Sequence, residues 1–587
     1  MRGSRSEVPF AAPRALITFI TALVVYAGTL RNGFVYDDNQ LVVDNPWLRS
    51  LDELGDAFVK PLFAFEDSPL EQAERSHAEA YFRPFAHVFL FVGRTLFGLT
   101  PWPYHLMLML MHAVASVLVG WLLRTCLRRP DGSLTEESEW AALAGALLFA
   151  VHPVHTEAVA WVSGCMDVSA TVLVLLGVRL MVSGPASWRR GVGATLLWFS
   201  ALMFKEVAIV FPAVLWATDR AAGVRPASPG LRGWALRYAA LGLGLLGYAA
   251  FRLNAVGASL PVPGGEGRAG MYPVHTLALA GKLMGKLFWP HPLISTVPLR
   301  VLPEPAQVAL GSLLLAGLLV VLWRHRRRES PAFAGGIWLL APLLPIFLLQ
   351  FRGVESYAER FLYLPSVGFS LLVAVALRWV LERRRENARA LRLFAGGIVA
   401  LFAVMTLWRV PVWHDDISLW EDSVASVPEQ PLLRAYLGAS YLKARRAEDA
   451  LPQLEISARA FPHNYKIQSD LAVALALLGR IDESILQLER TLQLRPSAVV
   501  VVHNLGLALR RAKRLDEALV RFQEALRLAP QRVDSHLELG RTLLQLGRPS
   551  EAMASFEEAL RLRPELEPAR RGMQQARMAL GTSSPVR

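Results

Sequence analysis

The sequence predicts an all-α protein in two parts: a polytopic membrane domain of about eleven transmembrane helices, then a superhelix of helical repeats. Three observations carry this. The 587 residues are 53% hydrophobic and only 19% charged, with a mean hydropathy of +0.33, which is too apolar for a soluble chain of this size. Nearly all the long apolar runs fall within residues 1–411, whereas 412–587 has the composition of a soluble helical sequence. Prolines recur every 34 residues at Pro428, Pro462, Pro496, Pro530 and Pro564.

Crossing a bilayer core takes roughly 17–25 apolar residues at 1.5 Å per residue. Runs that meet or approach this lie at about 15–31, 104–123, 140–157, 166–183, 191–204, 207–218, 237–253, 306–323, 332–350, 361–381 and 393–411. Two further apolar runs, 82–98 and 274–290, carry Arg83 and Arg94 or Lys282 and Lys286, and are expected to be interfacial or re-entrant helices. The first run follows Arg2, Arg5 and Arg14 and lacks a small-residue cleavage site, so a retained signal anchor is expected.

The net charge of +13 sets the orientation. With eleven spans and a cytoplasmic N-terminus (1–14), the clusters at Arg124/Arg128/Arg129, Arg189/Arg190, Arg220/Arg225/Arg232, Arg324–Arg328 and Arg383–Arg385 all fall inside, as basic loop residues do. The charge therefore calls for no nucleic-acid partner. An odd number of spans puts the repeats on the other side: the periplasm if the membrane is a bacterial inner membrane, the lumen if it is that of the endoplasmic reticulum. Only seven of the 62 basic residues are Lys, which fits a GC-rich bacterial genome. Two cysteines, Cys126 and Cys165, make no disulfide framework.

The C-terminal period is that of tetratricopeptide repeats. Gly438, Gly506 and Gly540 share one repeat position, Ala450, Ala518 and Ala552 another, and Phe522 and Phe556 a third. Small residues sit where two helices touch, a bulky one packs between them, and proline ends the second helix. Four repeats are expected over 431–564 after a linker at 412–430, with a capping helix and tail at 565–587. Their groove is a binding surface for a polypeptide.

The topology collects five polar groups on the face away from the cytoplasm. They are Asp37/Asp38 after the first span, Arg83 before the interfacial helix, His152-Pro-Val-His155-Thr-Glu157 with Asp167, Lys205-Glu206 between spans five and six, and Glu359-Arg360 before span ten. Ionisable residues at membrane depth usually line a cavity or pathway. Each group also has an ordinary reading. The acids are solvated loop residues, and the histidines at i, i+3 either bind a metal or hydrogen-bond at the interface. Lys205-Glu206 and Glu359-Arg360 are structural ion pairs, and Arg83 snorkels. Their shared side favours a water-accessible site.

The ordered motifs Tyr36-Asp-Asp, Phe82-Arg-Pro, His152-Pro-Val-His-Thr-Glu-Ala-Val-Ala-Trp-Val-Ser-Gly164, Phe204-Lys-Glu and Glu359-Arg-Phe-Leu-Tyr-Leu-Pro-Ser-Val-Gly368, followed by the repeats, resemble the transmembrane and tetratricopeptide repeat-containing (TMTC) family. More broadly the chain is similar to the GT-C glycosyltransferases, including the protein O-mannosyltransferases. The resemblance implies a GT-C-like membrane domain over 15–411 and transfer of a sugar, mannose, from a polyprenyl-phosphate donor to Ser/Thr hydroxyls of an exported or membrane protein. It makes the acidic pair the catalytic or metal-binding element, with a divalent cation as a candidate cofactor held by Asp37, Asp38, His152 and His155. Glu157 and Glu206 join the catalytic candidates. Arg83, His152, His155, Asp167, Lys205, Glu359 and Arg360 are the donor-phosphate and substrate candidates. One departure stands out: the family has Arg after Val-Ser-Gly, where this chain has Cys165. That departure suits the rival reading, a non-enzymatic membrane scaffold whose repeats recruit partners for envelope assembly.

Overall fold

A computed structural model describes residues 12–581 except 65–80, 130, 185–186, 225–229, 258–271, 296, 299–303, 328 and 350–355. Arg2, Arg5, Arg225 and Arg328 therefore lie outside the described residues, as does the end of the C-terminal tail. The chain divides into two compact units, with the boundary between Leu419 and Trp420.

The first unit is a bundle of apolar helices: α1 (Ala12–Tyr26), α2 (Pro84–Phe97), α3 (Trp102–Leu127), α4 (Glu136–Val151), α5 (Cys165–Val182), α6 (Trp188–Phe204), α7 (Phe211–Ala221), α8 (Gly230–Val256), α9 (Tyr272–Phe288), α10 (Pro305–His325), α11 (Pro331–Leu340), α12 (Pro365–Arg383) and α13 (Ala388–Arg409). Eight helical segments among the described residues are long and apolar enough to cross a membrane, and a ninth is α4 with Pro153–Ala160, bent by 44°. The chain is a multi-pass membrane protein.

Two of the eleven expected spans, α6 and the 207–218 run, are shorter. The second opens as a 3-10 turn, Glu206–Val210, and continues as α7. Their ends nevertheless match those of α5. Lys205, just past α6, bonds Asp167 near the start of α5. At the other end Asp219 of α7 bonds Arg237, which also donates to Met181 O near the end of α5. The 17 residues of α6 rise about 25 Å, and the 3-10 turn plus α7 about 26 Å, so both cover the depth of α5.

Polar groups close the two ends of the bundle. At the end away from the acidic pair, Arg14 and Arg124 both bond Glu139, joining α1, α3 and α4, and Arg220 donates to Arg326 O. Several of the arginine clusters read as cytoplasmic thus meet at one end. The 82–98 run is the short helix α2. The 274–290 run is α9, which crosses α10 so closely that a Cβ on Gly281 would lie 2.2 Å from Gln307 O. A two-residue antiparallel pair, Val297–Pro298 with Ser356–Tyr357, links two loops.

The second unit holds four helix pairs: Pro431–Lys443 with Ala447–Ala460, Tyr465–Leu477 with Ile481–Leu494, Val499–Arg511 with Leu515–Leu528, and Val533–Gln545 with Pro549–Leu562, followed by Glu567–Ala579. The segment read as a linker carries a helix of its own, α14 (Asp416–Ser426). Phe522 and Phe556 are fully buried, and their rings fill the space a side chain on Gly506 or Gly540 would take. Each second helix opens with an Arg-to-acid pair at i, i+3: Arg446–Asp449, Arg480–Glu483, Arg514–Glu517 and Arg548–Glu551.

The turn before each of these helices needs a left-handed residue at one repeat position. It is filled by Arg445 (φ 60), Gly479 (φ 83), Lys513 (φ 62) and Gly547 (φ 72). A Cβ is disfavoured there by about 1 kcal/mol, so Lys513→Gly and Arg445→Gly should each stabilise the repeats by about that amount. Thermal unfolding of the repeat segment should then shift upward by about 2–4 °C per substitution. A lowered midpoint would contradict this account.

Candidate functional site

Proline punctuation places the polar groups. Pro84, Pro153 and Pro365 each open a helix, and the residues just before them (Arg83, His152, and Glu359–Leu364) lie in turns at the same end of the bundle. Lys205 is extended (φ −159, ψ 135), which ends α6 and turns its side chain back toward α5. Val162–Gly164 forms a 3-10 turn before α5 and closes onto Ala158, whose carbonyl oxygen would lie 2.3 Å from a Cβ on Gly164. This explains the glycine of the Val-Ser-Gly motif.

The two adjacent acids have different environments. Asp38 is fully buried. Its Oδ1 accepts from Ser163 N (2.7 Å) and Ser163 Oγ (2.6 Å), and its Oδ2 from Val35 N (3.2 Å) and Val162 N (3.3 Å). It captures N–H groups of the turn before α5 that have no helical partner. Burial pushes its pKa up to about 7 against the pull of those donors. Asp37 is half-buried, and among the described residues no hydrogen bond or ion pair engages its carboxylate. Burial pushes it up to about 6, while Arg360 and Arg83 pull it down and Glu157 pushes it further up.

Three ion pairs lie together here: those of Arg83 and Arg360 act on Asp37, and that of Lys205 lies near both. Arg83 binds Glu206 through Nε (3.1 Å) and Nη2 (2.9 Å), and lies 4.4 Å over the Tyr81 ring. Lys205 donates to Asp167 at 2.5 Å, both side chains being less than a tenth exposed. Arg360 donates to Glu157 from both its backbone N–H (2.9 Å) and its guanidinium, and lies 5.0 Å over Trp161. The neighbouring residues Lys205 and Glu206 therefore do not pair with each other. Nor do Glu359 and Arg360, since Glu359 accepts from Ile294 N and burial pushes its pKa up. Adjacent side chains in a turn point apart, and each finds its partner on another element.

The histidines serve packing. His152 Nε2 meets Leu287 O at 3.1 Å and its Nδ1 accepts from Val154 N (3.4 Å). His155 Nε2 meets Ser366 Oγ at 2.8 Å, with its ring against Phe149 and Tyr363 at 4.5 and 4.8 Å. His112, which the sequence did not single out, joins them through Tyr363 Oη (2.8 Å). The candidate metal set Asp37, Asp38, His152 and His155 is not assembled: among the described residues no three His, Cys, Asp or Glu converge on a metal position.

Sequence reasoning also missed Ser163, which bonds Asp38, and Trp161, whose Nε1–H donates to Val35 O in the same turn. Both stand inside the quoted motif, but nothing in it says what they touch. Cys165 is fully buried and, like Cys126, a free thiol. Next to it, Met166 Sδ meets Arg83 Nη1 at 3.4 Å.

Comparison with known proteins agrees with the two-part architecture. The tetratricopeptide repeat family matches residues 437–499 and 498–565. The protein O-mannosyl-transferase Tmtc2 of Drosophila melanogaster is 38% identical over 204 residues, covering 32% of this chain and 19% of that protein. Protein O-mannosyl-transferase Tmtc1 of the same species is 24% identical, covering 73% of this chain and 59% of its own length. The human TMTC1 protein O-mannosyl-transferase is 24% identical, covering 76% and 55%. The chain thus spans less than two thirds of each of these relatives. The motif order across the membrane unit, the repeats behind it and these relatives agree with a resemblance to the transmembrane and tetratricopeptide repeat-containing family.

Proposed function

We propose that the chain is a GT-C-type glycosyltransferase that moves mannose from a polyprenyl-phosphate donor to Ser/Thr hydroxyls of an exported or membrane polypeptide. The carrying observation is the carboxylate of Asp37, unpartnered among the described residues and under the charges of Arg83 and Arg360, with Lys205 near both cations. Asp37 takes the proton from the acceptor hydroxyl as its oxygen bonds the anomeric carbon. The bond from that carbon to the phosphate oxygen breaks, and its electron pair leaves with the phosphate. Arg83, Arg360 and Lys205 offset the charge that develops there, guanidinium being suited to two-point phosphate contact. Asp38, Glu157, Asp167 and Glu206 hold these groups in place. Glu359, His152 and His155 shape the wall behind them.

The positive-inside rule puts this site on the non-cytoplasmic face. The repeats hold the acceptor or a partner polypeptide, and their linkage raises its local concentration. The test is mass spectrometry of exported and membrane proteins with and without the chain. Loss of a hexose from defined Ser/Thr residues supports transfer. An unchanged glycoproteome supports the scaffold reading, which Cys165 favours.

The pH dependence follows from the same groups. A base that must be ionised gives a kcat/KM that rises with pH through about 6, the value to which burial pushes Asp37. Burial pushes Lys205 down to about 8 against the pull of Asp167, so the rate should fall again above about 8 as that cation is lost. A bell-shaped profile with these limbs is expected. Replacing Lys205 by Arg should remove the alkaline limb and leave the acid one.

A further inference from the structure

The loop bearing Asp37 is held on two sides. Asp38 ties it to Ser163. On its other side lies the segment that follows α13. Gly33 N–H donates to His414 O (2.9 Å), Tyr36 N–H to Asp416 Oδ1 (2.6 Å) and Asn39 Nδ2 to Asp416 Oδ2 (3.2 Å). One of the two residues that Asp416 grips has a disfavoured backbone, and the other opens an uncommon helical turn. Tyr36 is left-handed (φ 56), a region a Cβ resists. Asn39 opens a π-helical turn, Asn39–Val43, a rare form frequently found at functional sites. Asp37 lies between them, so its direction follows from theirs. The same segment reaches the cation side: Trp413 stacks on Trp161 at 6.0 Å, and Trp161 carries Arg360 on its face and Tyr36 at 5.9 Å.

We infer that Asp416 is the positioning residue for Asp37: its two oxygens hold the left-handed turn and the π-turn that aim the base at the acceptor hydroxyl. The inference rests on the reading of Asp37 as the base. Asp416 also opens α14, the helix from which the chain runs on into the repeats. The aim of the base is therefore set by the segment that delivers the acceptor-binding part of the chain.

The test uses the full chain in lipid nanodiscs, with Asp416→Ala, Asp416→Asn and the double variant Asp416→Ala/Tyr36→Gly. Amide hydrogen exchange is read over 33–44, and steady-state kinetics use polyprenyl-phosphate mannose and a Ser/Thr peptide. Asp416→Ala should speed exchange at Tyr36 and its neighbours about tenfold and leave α3 and α5 unchanged. Its kcat should fall about 30-fold with the donor KM within about twofold, as for a misaimed group. Glycine adopts φ 56 unaided, so the double variant should regain a large part of kcat. Asp416→Asn keeps one acceptor oxygen and should show the same pattern, smaller; it decides the matter if the alanine chain is not recovered. Unchanged exchange at Tyr36, or loss of kcat with no recovery on adding Tyr36→Gly, overturns the inference. If the wild-type chain transfers no sugar, the Asp37 reading fails by itself, and exchange alone decides whether Asp416 holds the loop.

Discussion

Asp37→Asn should lower kcat for sugar transfer by about 10²–10⁴-fold, the usual worth of a positioned general base, and leave the donor KM close to that of the wild type. The amide keeps the shape of the side chain and removes only its capacity to take a proton. The protein should fold as before. Burial raises the pKa of Asp37 from its ordinary 3.8 to about 6, so its contribution to stability falls as the pH rises through that window and the full cost persists above it; the amide removes that opposition. Transfer kinetics, together with the melting midpoint of the purified chain, check both halves. A variant that transfers at the wild-type rate would take the base assignment down with it.

Asp38→Asn is expected to do something different, although the two acids are adjacent. Its amide oxygen can still serve Ser163, but its NH₂ would face Val35 N–H and Val162 N–H, donor against donor, in a fully buried place. Each buried donor left unmade costs about 1–3 kcal/mol, so a loss of about 2–6 kcal/mol is expected, a large share of an ordinary folding free energy. Asp38→Ala strands all four donors and should yield little intact protein. Recovery from detergent extraction and the thermal aggregation midpoint measure this, and should separate the pair: Asp37→Asn inactive and well folded, Asp38→Asn poorly recovered. Equal recovery of the two would mean that the knot at Ser163 does not hold the loop.

What the sequence conveyed follows a physical divide. Periodic signals depend on neighbours in the chain, so apolar runs of membrane length and a 34-residue proline period gave the helices and the four repeat pairs directly. The site residues were nameable because charge topology and motif order brought them to one face. Their roles were not, since a role depends on partners distant in sequence. Lys205 and Glu206 read as a pair because they are adjacent, yet one turns to Asp167 and the other to Arg83. His152 and His155 at i, i+3 read either as metal ligands or as hydrogen-bonding residues; a proline between them breaks the helix, and their rings are taken up by a carbonyl, a hydroxyl and aromatic neighbours. Asp416 carries no local signal; only the fold brings it to Tyr36.

The four-donor knot at Asp38 also bears on entropy. Fixing the backbone of one residue takes away roughly 1–2 kcal/mol of conformational freedom. The turn from Val35 to Asp38 is fixed during folding, by hydrogen bonds that involve no substrate. In the proposed transfer, donor and acceptor would meet a carboxylate already in place, and none of their binding energy would be needed to order it. Under that proposal the energy would remain available for the rearrangement at the anomeric carbon, where it would shorten the climb to the transition state.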